Sequence, residues 1–287
     1  MISWKKIRPY VRNIYRIITA FNGFMYDFKR FMKYSAFREN MNDKEQRNYK
    51  SVIVYHGLEK SMSYKNRNQT SGWSNAYESL ELLKIAYKTN SFGYHDIASK
   101  QVLEKFIQLP DNLNTQNGIN IKNELKAIKV NSNDSHGVLQ YSTNDYKQGI
   151  LENPESFFNS RVSLREFKNK IVEENNILRA IKLSMKTPSV CNRQAWHIYH
   201  TSDEKIKEKV LKYQSGNKPF GKNIPNILVI TTDLNAFFAA EEHYQHWIDG
   251  GLLSMSLMYA LHSLGIASCA LNWSQSPSVD LKLRKAV

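Results

Sequence analysis

Three short stretches carry the side chains best suited to chemistry. SRVSLREF (160–167) sets Arg161, Ser163 and Arg165 at alternate positions. In an extended segment alternate side chains point the same way, so two guanidinium forks and a hydroxyl share one side. Arginine matches phosphate oxygens bidentately, so the trio would suit an anion, though the same pattern also occurs on ordinary surfaces. TPSVCNRQAW (187–196) gathers Ser189, Cys191, Asn192, Arg193 and Gln194 between Pro188 and Trp196, with no paired acid, base or metal ligand. EEHYQHW (241–247) puts His243 and His246 three apart on one helical face, near Glu242 and Asp249.

Each stretch also has a plainer reading. Cys191 with His197 would make a nucleophile and base only if a cation or helix N-terminus lowered the thiol pKa and the histidine were oriented; a structural cysteine is the expectation. The two histidines lack a third strong ligand at defined spacing, so no metal site is expected. His56, Glu59 and Lys60 in YHGLEK share a helical turn and suit a local salt bridge. No GxGxxG after a strand, GxxxxGK[ST], HExxH or GxSxG occurs, which removes the P-loop and the common hydrolase readings.

The elements that must position these groups fall into two textures. Before residue 150 the chain reads as mostly helical. From Trp4 to Tyr34 apolar residues recur at three- and four-residue steps, with basic residues on the rest of the surface. Helices are expected at Ser74–Ala86 and Ile97–Leu109, the second stopped by Pro110, and 52–60 is an ordered island in a polar stretch. Residues 111–120 and 131–144 read as Asn-rich loops. After Pro154 the order is a helix over Lys170–Met185, a strand over Trp196–His200, a helix over Glu204–Tyr213, and a strand over Asn226–Thr232. A long helix over Ala239–Leu264 and a buried strand over Ile266–Leu271 follow. That order fits the α+β or α/β classes.

The second region resembles the nitroreductase family of FMN-dependent flavoproteins. The resemblance rests on Arg161, Ser163 and Arg165 before Phe167, on Pro188, Ser189, Asn192, Gln194 and Trp196 as Pro-Ser-x-x-Asn-x-Gln-x-Trp, and on DGGLLSMSLMYALHSLGIASCALNW (249–273). It implies an α+β fold with a mixed sheet flanked by helices over 151–287, preceded by a basic, mostly helical region over 1–150. That first region is similar to extensions on nitroreductase-like proteins from bacterial surface-polysaccharide loci. By the resemblance Arg161, Ser163 and Arg165 hold the FMN phosphate and ribityl chain. Pro188, Ser189, Asn192 and Gln194 form a turn that hydrogen-bonds the flavin of the same or the partner subunit, and Leu271 and Asn272 present backbone groups to the ring. Arg193 is a candidate, by sequence proximity, for the positive charge beside the flavin N1.

The implied activity is reduction of a nitro, quinone or other conjugated small-molecule acceptor by electrons from NADH or NADPH, in ping-pong order, by a homodimer. The cofactor carries the hydride, so no catalytic side chain is expected. Family members continue beyond the position of Val287 into a further strand and basic segment, so the site is expected to lack its last strand. The alternative is a catalytically silent scaffold or membrane-associated partner in a polysaccharide biosynthesis complex.

Composition bounds the partners. The formal charge is +14, and residues 1–34 hold eight Lys and Arg against the single acid Asp27. Such a field draws phosphates, nucleic acid or an anionic membrane surface. No nucleic-acid module is present, so two readings of residues 1–34 are carried forward: the expected one, a helix packed on its own domain with a solvated basic side, and the alternative, an interfacial helix on an anionic membrane. Two cysteines outside any CxxC spacing, and no compact apolar leader, point to a cytoplasmic protein, peripheral to the inner face of the membrane if the helix binds there. Trp247–Trp273 is interrupted by Asp249, Gly250, Gly251, His262 and Gly265 and is too short to span a bilayer.

Overall fold

A computed structural model describes residues 4–130 and 134–286 of the chain. Met1–Ser3, residues 131–133 of the second Asn-rich stretch, and Val287 of the closing LRKAV lie outside the described residues.

The first region is a helical assembly. α1 (Trp4–Tyr34) leads into α2 (Lys44–Ser63), α3 (Trp73–Lys88) and α4 (Tyr94–Ile107). The island at 52–60 is the middle of α2, which starts where Asp43 accepts a hydrogen bond from the Gln46 amide. Leu58, Leu80, Leu83, Val102, Leu103 and Phe106 from α2, α3 and α4 are all fully buried against one another. Arg47 is buried with them, and Asp96 answers its charge at 3.2 Å. Asp96 also accepts from Ser51 Oγ at 3.1 Å and the Gly93 amide at 2.9 Å, so its oxygens are well satisfied.

The expected loop at 111–120 is instead largely helical. α5 (Pro110–Leu113) begins with Pro110 at its first turn, and α6 (Gln116–Leu125) is capped by the Thr115 hydroxyl, which accepts from the Gly118 amide. Asn112 is fully buried and donates to the Phe106 carbonyl, so its polarity marks an internal hydrogen bond rather than a solvated loop. Short helices α7 (Thr143–Lys147) and α8 (Pro154–Ser160) cross into the second region.

There, α9 (Glu174–Ser184), β1 (Trp196–Thr201), α10 (Glu204–Tyr213), β2 (Ile227–Thr232), α11 (Gln245–Ser263) and α12 (Pro277–Ala286) follow in order. β1 and β2 pair antiparallel, Trp196 opposite Thr232 and Thr201 opposite Ile227. Outside this ladder a parallel bridge joins Ser163 to Ser268. The fold is therefore α+β, and both pairing senses of the expected mixed sheet are present, the parallel one as a single bridge. The expected strand over Ile266–Leu271 is reduced to that bridge, because only one neighbouring segment pairs with it. The expected helix over Ala239–Leu264 is broken: Ala240–Glu242 form a single 3-10 turn and α11 starts after Tyr244. Ile177, Ala180, Leu257 and Leu261 bury the contact of α9 with α11, which rests on Ile198, Leu228 and Ile230 of the sheet.

The two regions meet across a third apolar cluster. Phe31 of α1 packs with Ala195, Ala236 and Phe237, with Phe37 and Tyr49 beside it. The Ala36 amide donates to the Phe237 carbonyl at 2.9 Å and Tyr49 donates to Asp233 at 3.1 Å. Burial, then the Asp233 charge and hydrogen bond, push the Tyr49 hydroxyl well above its ordinary pKa, so it stays a donor.

Candidate functional site

Residues 188–194 form a tightly held turn whose polar edge faces outward. Cys191, Asn192 and Gln194 have φ of 49°, 54° and 49°, a left-handed conformation that costs a non-glycine residue roughly 1–2 kcal/mol. Contacts from inside hold it there. Asp249, fully buried on α11, accepts from the Val190 amide at 3.3 Å and from Gln245 Nε2 at 2.8 Å. Ser189 Oγ accepts from the Gln194 amide at 2.9 Å, and Gln194 Nε2 donates to the Met185 carbonyl at 3.2 Å. Pro188, Asn192 and Gln194 are exposed and Ser189 is half-buried.

Arg193 points the other way. Its guanidinium is 4% exposed, donates to the Ala236 carbonyl at 2.8 Å and to Glu242 at 2.6 and 3.0 Å, and lies over the Phe237 ring. Burial alone would raise the Glu242 pKa. The Arg193 hydrogen bond and charge, with the Phe238 and Ala239 amides, outweigh that and hold it below the usual carboxylate value. Arg193 is thus a fixed internal cation that clamps the turn to the 236–242 segment, and it is not free to sit beside a flavin N1. Cys191 makes no hydrogen bond with His197, which lies exposed on β1 opposite Thr231.

The second element is the segment leaving α8. His262 of α11 meets Ser160 Oγ at 2.9 Å and the Phe157 carbonyl at 3.2 Å, while Phe158 packs edge-on against Tyr259 at 4.9 Å. These contacts fix where Arg161 leaves the helix in extended conformation. The Ser163–Ser268 bridge and the Leu164 amide, donating to the Ser268 carbonyl at 3.3 Å, then lay 161–165 beside the chain that leads to Leu271 and Asn272. Arg161 is half-buried; Ser163 and Arg165 are exposed. Among the described residues neither arginine forms a salt bridge with a carboxylate, and Arg165 reaches only the Ser163 carbonyl, at 3.5 Å. Two unneutralised guanidinium groups flanking a hydroxyl fit a phosphate monoester.

Beyond the bridge, buried Gln214 donates to the Asn272 carbonyl at 3.1 Å, so it fixes the direction of that peptide. Asn272 is itself exposed, its amide on Ser274 Oγ at 3.0 Å, and Leu271 is half-buried. The structure therefore pairs the 161–165 segment with Ser268, three and four residues before Leu271 and Asn272. Among the described residues no hydrogen bond joins that segment to the 188–194 turn.

His243 and His246 separate into different settings. His243 is exposed and contacts the Ala240 carbonyl, whereas His246 is buried among Phe31, Phe237 and Trp247. Burial, with Arg30 and His243 adding repulsion, lowers the His246 pKa to about 4. Glu242 is taken by Arg193 and Asp249 by the turn, and no cluster of three metal-binding side chains occurs among the described residues. His56 pairs locally with Glu59 at 3.5 Å.

Sequence reasoning missed the supports: Asp249, Glu242, His262 and Gln214. Only Asp249 left a signal, as a lone carboxylate in an otherwise apolar helix, where burial demands hydrogen-bond donors.

Residues 159–222, which hold both the Arg-x-Ser-x-Arg segment and the turn, match the model described as Nitroreductase family. That stretch of the second region is accordingly similar to the nitroreductase family. Similar solved structures include a protein of Parabacteroides distasonis described as an NADH dehydrogenase/NAD(P)H nitroreductase, 21% identical, covering 46% of this chain and 74% of that one at a TM-score of 0.41. An FMN-dependent nitroreductase of Clostridium difficile is 22% identical, with 46% and 76% covered and a TM-score of 0.39. A nitroreductase with bound FMN from Desulfitobacterium hafniense is 19% identical, with 48% and 77% covered and a TM-score of 0.35. At these TM-scores the overlaps carry no weight for the whole fold. No curated protein matches the chain.

Proposed function

We propose that the protein is an FMN-dependent oxidoreductase that passes electrons from NADH or NADPH to a nitro, quinone or other conjugated acceptor. The observation that carries the reading is the pair of unneutralised arginines, Arg161 and Arg165, flanking Ser163 inside the stretch that matches the family model. FMN, when bound, supplies the hydride-carrying chemistry. The chain supplies position. Arg161 and Arg165 bind the phosphate dianion, and the Ser163 hydroxyl adds a hydrogen bond. The Asn272 peptide, fixed by Gln214, presents its backbone toward the ring, and the edge of Pro188, Ser189, Asn192 and Gln194 orients it.

Asn192 is the side chain of the turn left free to donate and accept, because Ser189 and Gln194 each already spend one group on the turn itself. Among the described residues no hydrogen bond ties the turn to the phosphate locality within one chain, which leaves the turn available to the flavin of a second copy in a homodimer. Tyr244, which caps α11, and Trp247, Ile248, Leu252 and Met255 of α11 are exposed at helical spacing and suit that interface. Burying such a face gives a dimer its main driving force.

The test is steady-state kinetics of the FMN-loaded protein with NADH or NADPH and a quinone. Parallel double-reciprocal lines are expected, since donor and acceptor use the same place in turn. An FMN-loaded protein that oxidises neither nicotinamide would leave the silent-scaffold alternative standing.

A further inference from the structure

We propose that the free part of α1, residues 7–24, is an interfacial helix that lies on an anionic lipid bilayer. This goes beyond the flavin reading and does not depend on it. Every side chain from Ile7 to Asn22 is exposed, so over this length the helix has no packing partner in its own chain. The expected reading, a helix packed on its own domain, holds only for the last turns, where Tyr26 and Phe31 are engaged.

The exposed surface is two-faced. Ile7, Val11, Ile14, Ile18 and Phe21 recur at steps of three and four, with exposures between 37% and 61%. An α-helix turns about 100° per residue, which gathers these side chains on one stripe. Arg8, Arg12 and Arg16 stand four apart on another side, and among the described residues none has a carboxylate partner. From Trp4 to Tyr26 the helix contains no acidic residue. A second copy of the helix would bring like charges together. A bilayer of anionic phospholipids offers acyl chains to the apolar stripe and phosphates to the arginines. No helix among the described residues is long and apolar enough to cross a membrane, so the arm lies in the interface plane.

The root of the arm is firmly set. Tyr26 donates to Asp280 at 2.5 Å; Asp280 also accepts from Trp273 Nε1 and Arg284 Nε, both at 2.9 Å. Trp273 adjoins Asn272, so the arm leaves the body beside the proposed flavin site.

The experiment is flotation of the full-length protein with vesicles of phosphatidylcholine containing phosphatidylglycerol, and with vesicles of phosphatidylcholine alone. Flotation with the anionic vesicles only, and its loss in high salt, is expected. Each surface-bound basic residue contributes about fivefold to affinity, so Arg8→Gln/Arg12→Gln/Arg16→Gln should weaken binding on the order of a hundredfold. Ile14→Asp/Phe21→Asp should abolish it. Both variants alter exposed side chains and should keep the parent melting temperature, which separates lost binding from lost folding. Protein that stays at the bottom of the gradient with anionic vesicles overturns the proposal. So does light scattering that shows Ile14→Asp/Phe21→Asp breaking an oligomer while lipid binding is unchanged, because the stripe would then be covered by a second copy.

Discussion

The two regions of the molecule solve opposite problems. Among the described residues the helices of the first region bury fourteen apolar residues in one cluster, from Val52 to Ile128, while the α9–α11 and sheet cluster of the second buries five. Past α1, whose apolar stripe stays exposed, the first region closes a core beside the Arg47–Asp96 pair. The second leaves Phe158, Val162, Leu164, Trp247, Ile248 and Leu252 exposed around its proposed site. Past α1 the first region is the more closely packed of the two, and the second leaves more of its apolar surface for a partner to cover.

The sharpest way to break this contrast is to open the first core. Asp96→Ala strands a fully buried guanidinium and should cost about 3–5 kcal/mol in urea unfolding. A loss under 1 kcal/mol would mean the region is looser than its burial indicates. Leu83→Ala should cost about 4 kcal/mol and Leu257→Ala about 2–3, because the half-buried neighbours of Leu257 can collapse into the space. Equal costs would erase the difference between the two cores.

Acid should act on both regions through histidines. Burial holds His95 at a pKa of about 4, and His246 is held at about the same value, against an ordinary 6.5. The unfolded chain therefore binds more protons between pH 6.5 and 4, so stability falls as pH drops through that window. The loss is on the order of 3 kcal/mol for each group by pH 4. Glu242 and Asp280 are both held below ordinary carboxylate values, and their stabilisation is lost only at still lower pH. His246→Phe should flatten the pH 4–6.5 slope in the second region, and His95→Gln in the first, as read by hydrogen exchange. A slope unchanged by either variant would remove histidine burial as the cause.

The smallest expected effect on folding comes from the proposed site. Arg161→Gln/Arg165→Gln touches no salt bridge and should change stability by less than about 0.5 kcal/mol. FMN affinity should fall at least about tenfold, from the loss of two charge-assisted contacts.

Local patterns were legible where local physics decides. α10 falls on Glu204–Tyr213 as its periodicity predicts, opened by Asp203 accepting from the Ile206 amide, and β2 differs from its expected start by one residue. The loop expected at 111–120 failed because asparagine reads as solvated, whereas Asn112 is an internal donor and Thr115 a cap. At the candidate site the side chains of 161–165 and 188–194 are proposed from type and spacing, and the structure adds which neighbours hold their backbone. Their supports were not legible, because Asp249, Glu242 and His262 reach back 59, 49 and 102 residues. The inward turn of Arg193 was likewise hidden, since nothing beside it in sequence reveals Glu242 and Phe237 as its neighbours.

The most direct test of the central claim is titration of the purified full-length protein with FMN, followed by flavin fluorescence and visible absorption. Saturable uptake near one FMN per chain, weakened in Arg161→Gln/Arg165→Gln, is the predicted result. A colourless protein that takes up no FMN at any ratio would contradict it.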